Sequence, residues 1–241
     1  MASKMAVSTR LLHADDGVSS AGLVSSVAPP VSVSTTFVCR PGETAYTRDD
    51  NPTRCRAEAV LGDLEGGEPA LLYSSGQAAT FAALFHFAPR RVAIASRGYH
   101  GTHQVISLLQ MQGVVKEVVG LESTELGPGD VVWLETPRNP TCAVVCVRAA
   151  SERAHAAGAL LVVDGTFAPP PLQFCLHLGA DVVMHSSSTS ASTVAQMGRA
   201  PRTLAFPIEQ ERWNVERRVN SAPLLVAHRH DQVVMKIVLR Y

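Results

Sequence analysis

Four short runs, residues 92–95, 131–134, 159–163 and 181–184, constrain the fold of this chain more than any other feature of its sequence. Asp181 aside, they are apolar at every position instead of at alternate ones. A strand built from any of them therefore needs cover on both faces. The segments between them have helical spacing. From Thr53 onward, Ala57, Val60, Leu61 and Leu64 recur at helical intervals until Gly66-Gly67 supplies a C-cap. Ser74 to Gln77 has capping-box spacing and opens an Ala/Leu/Phe-rich stretch that reads as a helix to Phe87. Further helices are expected near residues 103–112 and 149–157, the second ended by Gly158, and 69–73 reads as another short strand. Apolar strands separated by helices predict an α/β fold, a mainly parallel sheet with helices on both faces.

A sheet of that kind binds ligands where loops leave the carboxyl ends of its strands. The polar residues cluster there: after Tyr73, at 135–139, at 164–166 and at 185–188. Taken singly these residues have ordinary explanations. Ser74-Ser75-Gly76-Gln77 is a common helix cap, Asp164 suits a turn or cap, and Tyr99 suits loop packing. Only their joint pattern points further.

The flanks read differently. Residues 1–40 look like an arm, with Pro29-Pro30 and a Val/Ser/Thr stretch at 31–38 of strand character. Turns at Pro41-Gly42 and Asp49-Asp50-Asn51-Pro52 lead into the α/β unit, 41–189. Residues 190–241 continue no α/β pattern. The 241 residues carry 21 basic and 21 acidic side chains, a balance that argues against a nucleic-acid partner. No apolar run approaches the roughly 18 residues of a membrane span, and the N-terminus lacks the apolar stretch of a signal peptide. Five scattered cysteines suit reduced thiols better than a disulfide framework. A cytoplasmic protein without membrane contact is expected. Cys142 and Cys146 lack a second pair at ligand spacing, so no metal site is expected. P-loop, GxGxxG and GxSxG motifs are absent from the sequence.

The joint pattern is a series of seven motifs in fixed order. They are Tyr46-Thr47-Arg48 with Asn51-Pro52-Thr53-Arg54, Leu64-Glu65-Gly66-Gly67, Tyr73-Ser74-Ser75-Gly76-Gln77-Ala78-Ala79, Gly98-Tyr99-His100-Gly101-Thr102, Glu135-Thr136-Pro137-Arg138-Asn139-Pro140, Val163-Asp164-Gly165-Thr166-Phe167-Ala168, and the stretch from Gly179 to Ser186. In order and spacing this series resembles the pyridoxal-phosphate (PLP) enzymes of cysteine and methionine metabolism. That family includes cystathionine γ-synthase, cystathionine lyases and homoserine-ester sulfhydrylases. The wording around Tyr99 and 167–170 is most similar to fungal γ-synthase-type members, and the resemblance covers roughly residues 31–188.

The resemblance implies the large domain of PLP fold-type I enzymes, the cofactor pyridoxal 5'-phosphate, and β/γ-elimination or replacement on sulfur amino acids. It also implies roles for individual residues. Backbone N–H groups around Gly76 and Gln77, at a helix N-terminus, suit the cofactor phosphate, with Ser186 and Ser188 adding hydroxyls. Tyr99 lies over the pyridine ring, Asn139 near the ring oxygen, and Asp164 pairs with the ring nitrogen. Tyr46 and Arg48 resemble a pair that reaches the phosphate of a neighbouring subunit. A homo-oligomer, or a hetero-oligomer with a homologue, is therefore expected.

One departure bears on function. Where the family has the lysine that forms an imine with PLP, the ungapped position here is Thr189, which has no amine. The only lysines are Lys4, Lys116 and Lys236. Loss of a general acid–base group alone typically costs roughly 10²–10⁴ in rate. The family continues into a second domain whose arginine binds the substrate carboxylate, a role that the resemblance assigns to no arginine here. The resemblance ends abruptly at the lysine motif, as a frameshift or a misassigned splice junction would produce. Three readings follow: a truncated, catalytically impaired member; an active enzyme using an unaligned lysine or a partner subunit; or a non-catalytic assembly partner of a full-length homologue.

Overall fold

The computed structural model describes residues 6–9, 30–38, 45–66 and 70–186, together with the backbone of 236–237. Helix α1, Pro52–Glu65, begins where Asn51 Oδ1 accepts from the amides of Thr53 and Arg54 at 3.0 and 3.3 Å. Pro52 fits the first turn because its missing N–H would have no helical partner there. The helix stops at Gly66, whose φ of 144° strains any residue with a side chain. Strand β1 is only Leu72–Tyr73 and leads into α2, Gly76–Phe87. The N-cap of α2 is Ser75, one residue later than the capping-box spacing predicts: Ser75 Oγ accepts from Ala78 N at 3.0 Å. A start at Gly76 puts Ala78, not Gln77, at the third helical position, so the Gln77 side chain is released for other contacts.

The remaining elements alternate as the apolar runs require: β2 Arg91–Ile94, α3 His100–Met111, β3 Glu117–Gly120, β4 Val131–Glu135, α4 Val147–Ala156, β5 Leu160–Asp164 and β6 Val182–Met184. Five strands form one sheet in the order β3-β2-β4-β5-β6, parallel throughout. Alternate residues of each strand face opposite sides, and both sides are covered. Val92, Ile94, Val131, Trp133, Val162 and Met184 pack under Leu84 of α2 and Ile106 and Leu109 of α3. Ala93, Val132, Leu134, Leu161, Val163 and Val183 pack under Val147, Ala150 and Ala154 of α4. Each fully buried aliphatic side chain contributes about 1.5–3 kcal/mol, so the two-sided burial is what holds the strands in register.

Strand β3 has no apolar run to announce it. It is the sheet edge, with Glu117, Val118 and Gly120 exposed. The stretch at 31–38 does not form a ladder. It meets the next segment through one antiparallel bridge, Thr36 to Tyr46, and is tied to α1 where Ser32 N donates to Thr53 Oγ1 at 2.7 Å. In the tail, Lys236–Ile237 forms β7, parallel to β1 with Leu72 opposite Lys236.

From β2 the chain moves outward to β3, then returns to place β4 on the other side of β2. That reversal opens a crevice between the carboxyl ends of β2 and β4.

Candidate functional site

Three loops and one helix end meet at this crevice. The first N–H groups of α2, at Gly76 and Gln77, have no partner within their helix, and the 12-residue helix makes its start electropositive. The loop after β2 ends at Tyr99, which precedes the first residue of α3. These two pieces meet over Gly101. A Cβ built there would collide with the Gln77 amide nitrogen, and would lie 2.6 and 2.9 Å from Tyr99 Cε1 and Cζ. Glycine at 101 is thus what lets the tyrosine ring and the start of α2 close on each other. The Tyr99 ring also leans against His100, with centroids 4.9 Å apart.

Glu135 ends β4. Its Oε2 accepts from Tyr99 N at 2.9 Å and its Oε1 from Asn139 N at 2.8 Å. On the adjacent strand, Asp164 stands opposite Glu135 in register. Asp164 is 4% exposed, and burial pushes its carboxyl up to about 6. Hydrogen bonds from Thr166 pull the other way, the nearby Glu135 charge raises it further, and His185 opposes that rise. Both hydrogen bonds, from Thr166 N at 3.1 Å and Thr166 Oγ1 at 2.6 Å, fall on Asp164 Oδ1, so among the described residues Oδ2 is left for another donor. Thr166 Oγ1 in turn accepts from Ser186 N at 2.9 Å. The contacts therefore run in one arc: Gln77, Gly101, Tyr99, Glu135 with Asn139, Asp164, Thr166, Ser186.

Beneath the arc lies a buried histidine–glutamate contact. His185 Nε2 is 3.1 Å from Glu65 Oε1, and both side chains are fully buried. A Cβ on Gly165 would sit 2.8 Å from His185 Cε1 and 3.3 Å from Nδ1. Because Glu65 holds the imidazole, it cannot swing away. Gly165→Ala is therefore expected to destabilise the chain by about 1–3 kcal/mol through overpacking. Urea unfolding measures this, and a change within about 0.5 kcal/mol of the parent would contradict it.

Of the residues singled out in the sequence, the structure brings Gly76, Gln77, Tyr99, Asn139, Asp164 and Ser186 to this arc. Tyr46 and Arg48 stand apart from it. They form a solvent-facing unit before α1, the Arg48 guanidinium 4.2 Å above the Tyr46 ring and its side chain 71% exposed. Ser188 and Thr189 lie outside the described residues. Glu135, Thr166, Gly101 and the Glu65–His185 pair also belong to the site, and although each falls within one of the seven motifs, no chemistry legible in the sequence marks them. Lys116, one of the alternative lysines, precedes β3 and donates to Gly113 O, so it sits at the amino end of the sheet, opposite the site.

The model of the family described as Cys/Met metabolism PLP-dependent enzyme matches residues 8–189. A cystathionine beta-lyase of Lactococcus lactis subsp. cremoris is 30% identical over 250 aligned residues, covering 91% of this chain and 65% of its own length. Coverage that high necessarily runs past residue 189. Among solved structures, a cystathionine gamma-lyase from Micromonospora echinospora is 38% identical with a TM-score of 0.65. The cystathionine gamma synthase of Xanthomonas oryzae pv. oryzae, solved with aminoacrylate and cysteine, is 28% identical with a TM-score of 0.65. Each of these two alignments covers 75% of this chain and 50% of the solved one. The chain thus spans about half to two thirds of the length of these relatives.

Proposed function

The chain belongs to the Cys/Met metabolism PLP-dependent enzyme family, and we propose that it holds PLP noncovalently at the carboxyl end of its sheet while being impaired in trans-sulfuration chemistry. The parallel sheet with helices on both faces is the large-domain fold of PLP fold-type I enzymes, the class of its structural neighbours.

The residues present fit the cofactor. Gly76 and Gln77 offer N–H groups without a partner in their own helix for a phosphate, with Ser186 and Ser188 as further donors. Gly101 leaves the room that a Cβ would fill between the Tyr99 ring and Gln77. The family resemblance assigns Asn139, whose backbone N donates to Glu135, to the ring oxygen. The observation that carries the reading is Asp164: a buried carboxylate, raised to about 6, whose hydrogen bonds from the described residues fall on one oxygen. An isolated buried carboxylate is costly, and a protonated ring nitrogen paired with Asp164 would offset that cost. Bound there, PLP supplies an electron sink for chemistry at an amino-acid α-carbon.

The impairment rests on position 189. Threonine can neither bond covalently to the cofactor nor move the substrate α-proton as an amine does. Lys116 is an unsuitable substitute because it sits at the opposite end of the sheet. The ancestral reaction in this reading is β/γ-elimination or replacement on a sulfur amino acid, which would also be the substrate class if the chain were active. We place the protein in the cytoplasm, a reading supported by four free cysteines among the described residues.

Equilibrium dialysis of PLP against the full chain, with a cystathionine elimination assay alongside, tests this. Saturable binding at one site per chain without turnover is expected; the absence of saturable binding would sink the reading. The exposed Tyr46–Arg48 unit favours a second role, pairing with a full-length homologue whose phosphate site it would reach. Co-purification of the two chains, lost on Arg48→Ala, is the corresponding result.

A further inference from the structure

We propose that Glu135 is a positioning residue that clasps the Tyr99 and Asn139 loops and so sets the gap into which the cofactor ring fits; this rests on the PLP reading of the site. Four observations carry it. Glu135 closes β4, next to the topological switch, so its side chain emerges between loops that leave in opposite directions. Its two oxygens are divided one to each loop: Oε2 to Tyr99 N at 2.9 Å and Oε1 to Asn139 N at 2.8 Å. Bonds from backbone amides to an ionised carboxylate are stronger than neutral ones, and neither amide has another acceptor within the regular helix or sheet pattern. Finally, Gly98 leaves space for this carboxylate, because a Cβ there would lie 2.5 Å from Glu135 Oε2.

The consequence is a mechanical link between stacking and ring-oxygen contact. The backbone amides of Tyr99 and Asn139 converge on the one Glu135 side chain. With both backbones held by one carboxylate, neither loop shifts without disturbing the other. Only a carboxylate does this: a glutamine offers one acceptor and turns an NH₂ toward the second amide, donor against donor.

Two variants test the clasp by different routes. Glu135→Gln removes one acceptor, whereas Gly98→Ala keeps the charge and displaces it. Amide hydrogen exchange on the cofactor-free chain should show protection falling about tenfold or more at Tyr99 or Asn139 in Glu135→Gln, and at Tyr99 in Gly98→Ala. PLP affinity, titrated in parallel, should fall about tenfold in both. Unchanged protection at both amides would overturn the clasp. Lost protection with unchanged PLP affinity would overturn the positioning role and leave Glu135 merely structural. If the parent chain itself fails to bind PLP, the reading of the site fails, and the positioning role with it, whereas the exchange data still decide separately whether the clasp exists.

Discussion

Asp164→Asn is expected to make the cofactor-free chain more stable at neutral pH while removing most of its affinity for PLP. The carboxyl rises from 3.8 to about 6 on folding, chiefly because burial disfavours its charged form. A group whose acid form is favoured in the folded state binds its proton more tightly there than in the unfolded chain. Stability is therefore greatest below the unfolded value, falls as pH rises from about 4 to about 6, and stays low above that. A shift of about two units amounts to about 3 kcal/mol at pH 7. Asparagine keeps a carbonyl oxygen for Thr166 and removes the charge that burial and Glu135 disfavour. Urea denaturation at pH 7 should show the variant stabilised by up to that amount, and the difference should vanish near pH 4. PLP affinity should fall roughly 10–100-fold, the worth of a hydrogen bond to a charged partner. In the parent, affinity should weaken by up to about tenfold per pH unit below 6, as the carboxyl takes up the proton that pairing with a protonated ring nitrogen excludes. A variant less stable than the parent at pH 7 would show that Asp164 supports the fold and not a ligand.

Thr189→Lys has the second large expected effect. The motif that begins at His185-Ser186 enters the site at a fixed point: His185 is buried against Glu65, and Ser186 N is bonded to Thr166. Three residues further along, the family carries its lysine. An amine at position 189 should react with bound PLP and, after borohydride reduction, yield an adduct that maps to that position and is missing from the parent. Turnover should stay negligible even so. No arginine here has been matched to the family's substrate-carboxylate site, and positioning can account for roughly 7–11 kcal/mol of a catalysed barrier. Cystathionine turnover restored by this single change would contradict the account.

How much of this was legible beforehand follows from what each residue touches. Strands β4, β5 and β6 announce themselves because both of their faces are buried, which writes an unbroken apolar run into the sequence. Strand β3 does not, because an edge strand tolerates Glu117 and Gly120 on open faces. The Ser74 cap was one residue early: Ser74 and Ser75 are chemically alike, and only the start of α2 at Gly76 separates them. Gly76, Tyr99 and Asp164 were visible because they stand in the motifs that carry the family resemblance, which assigns them roles. Glu135 was not, since it serves two backbone amides, and any sequence supplies those. The Glu65–His185 pair joins residues 120 positions apart, and neither residue shows a local pattern that points to the other.

The central claim is that this chain retains a PLP site and lacks its covalent anchor. Borohydride reduction of the unmodified chain saturated with PLP, followed by peptide mapping, tests it most directly. The account predicts saturable binding that is lost on dialysis after reduction, with no adduct on any peptide of the site. An adduct mapped to Lys116 or Lys236, accompanied by β- or γ-elimination activity, would contradict it.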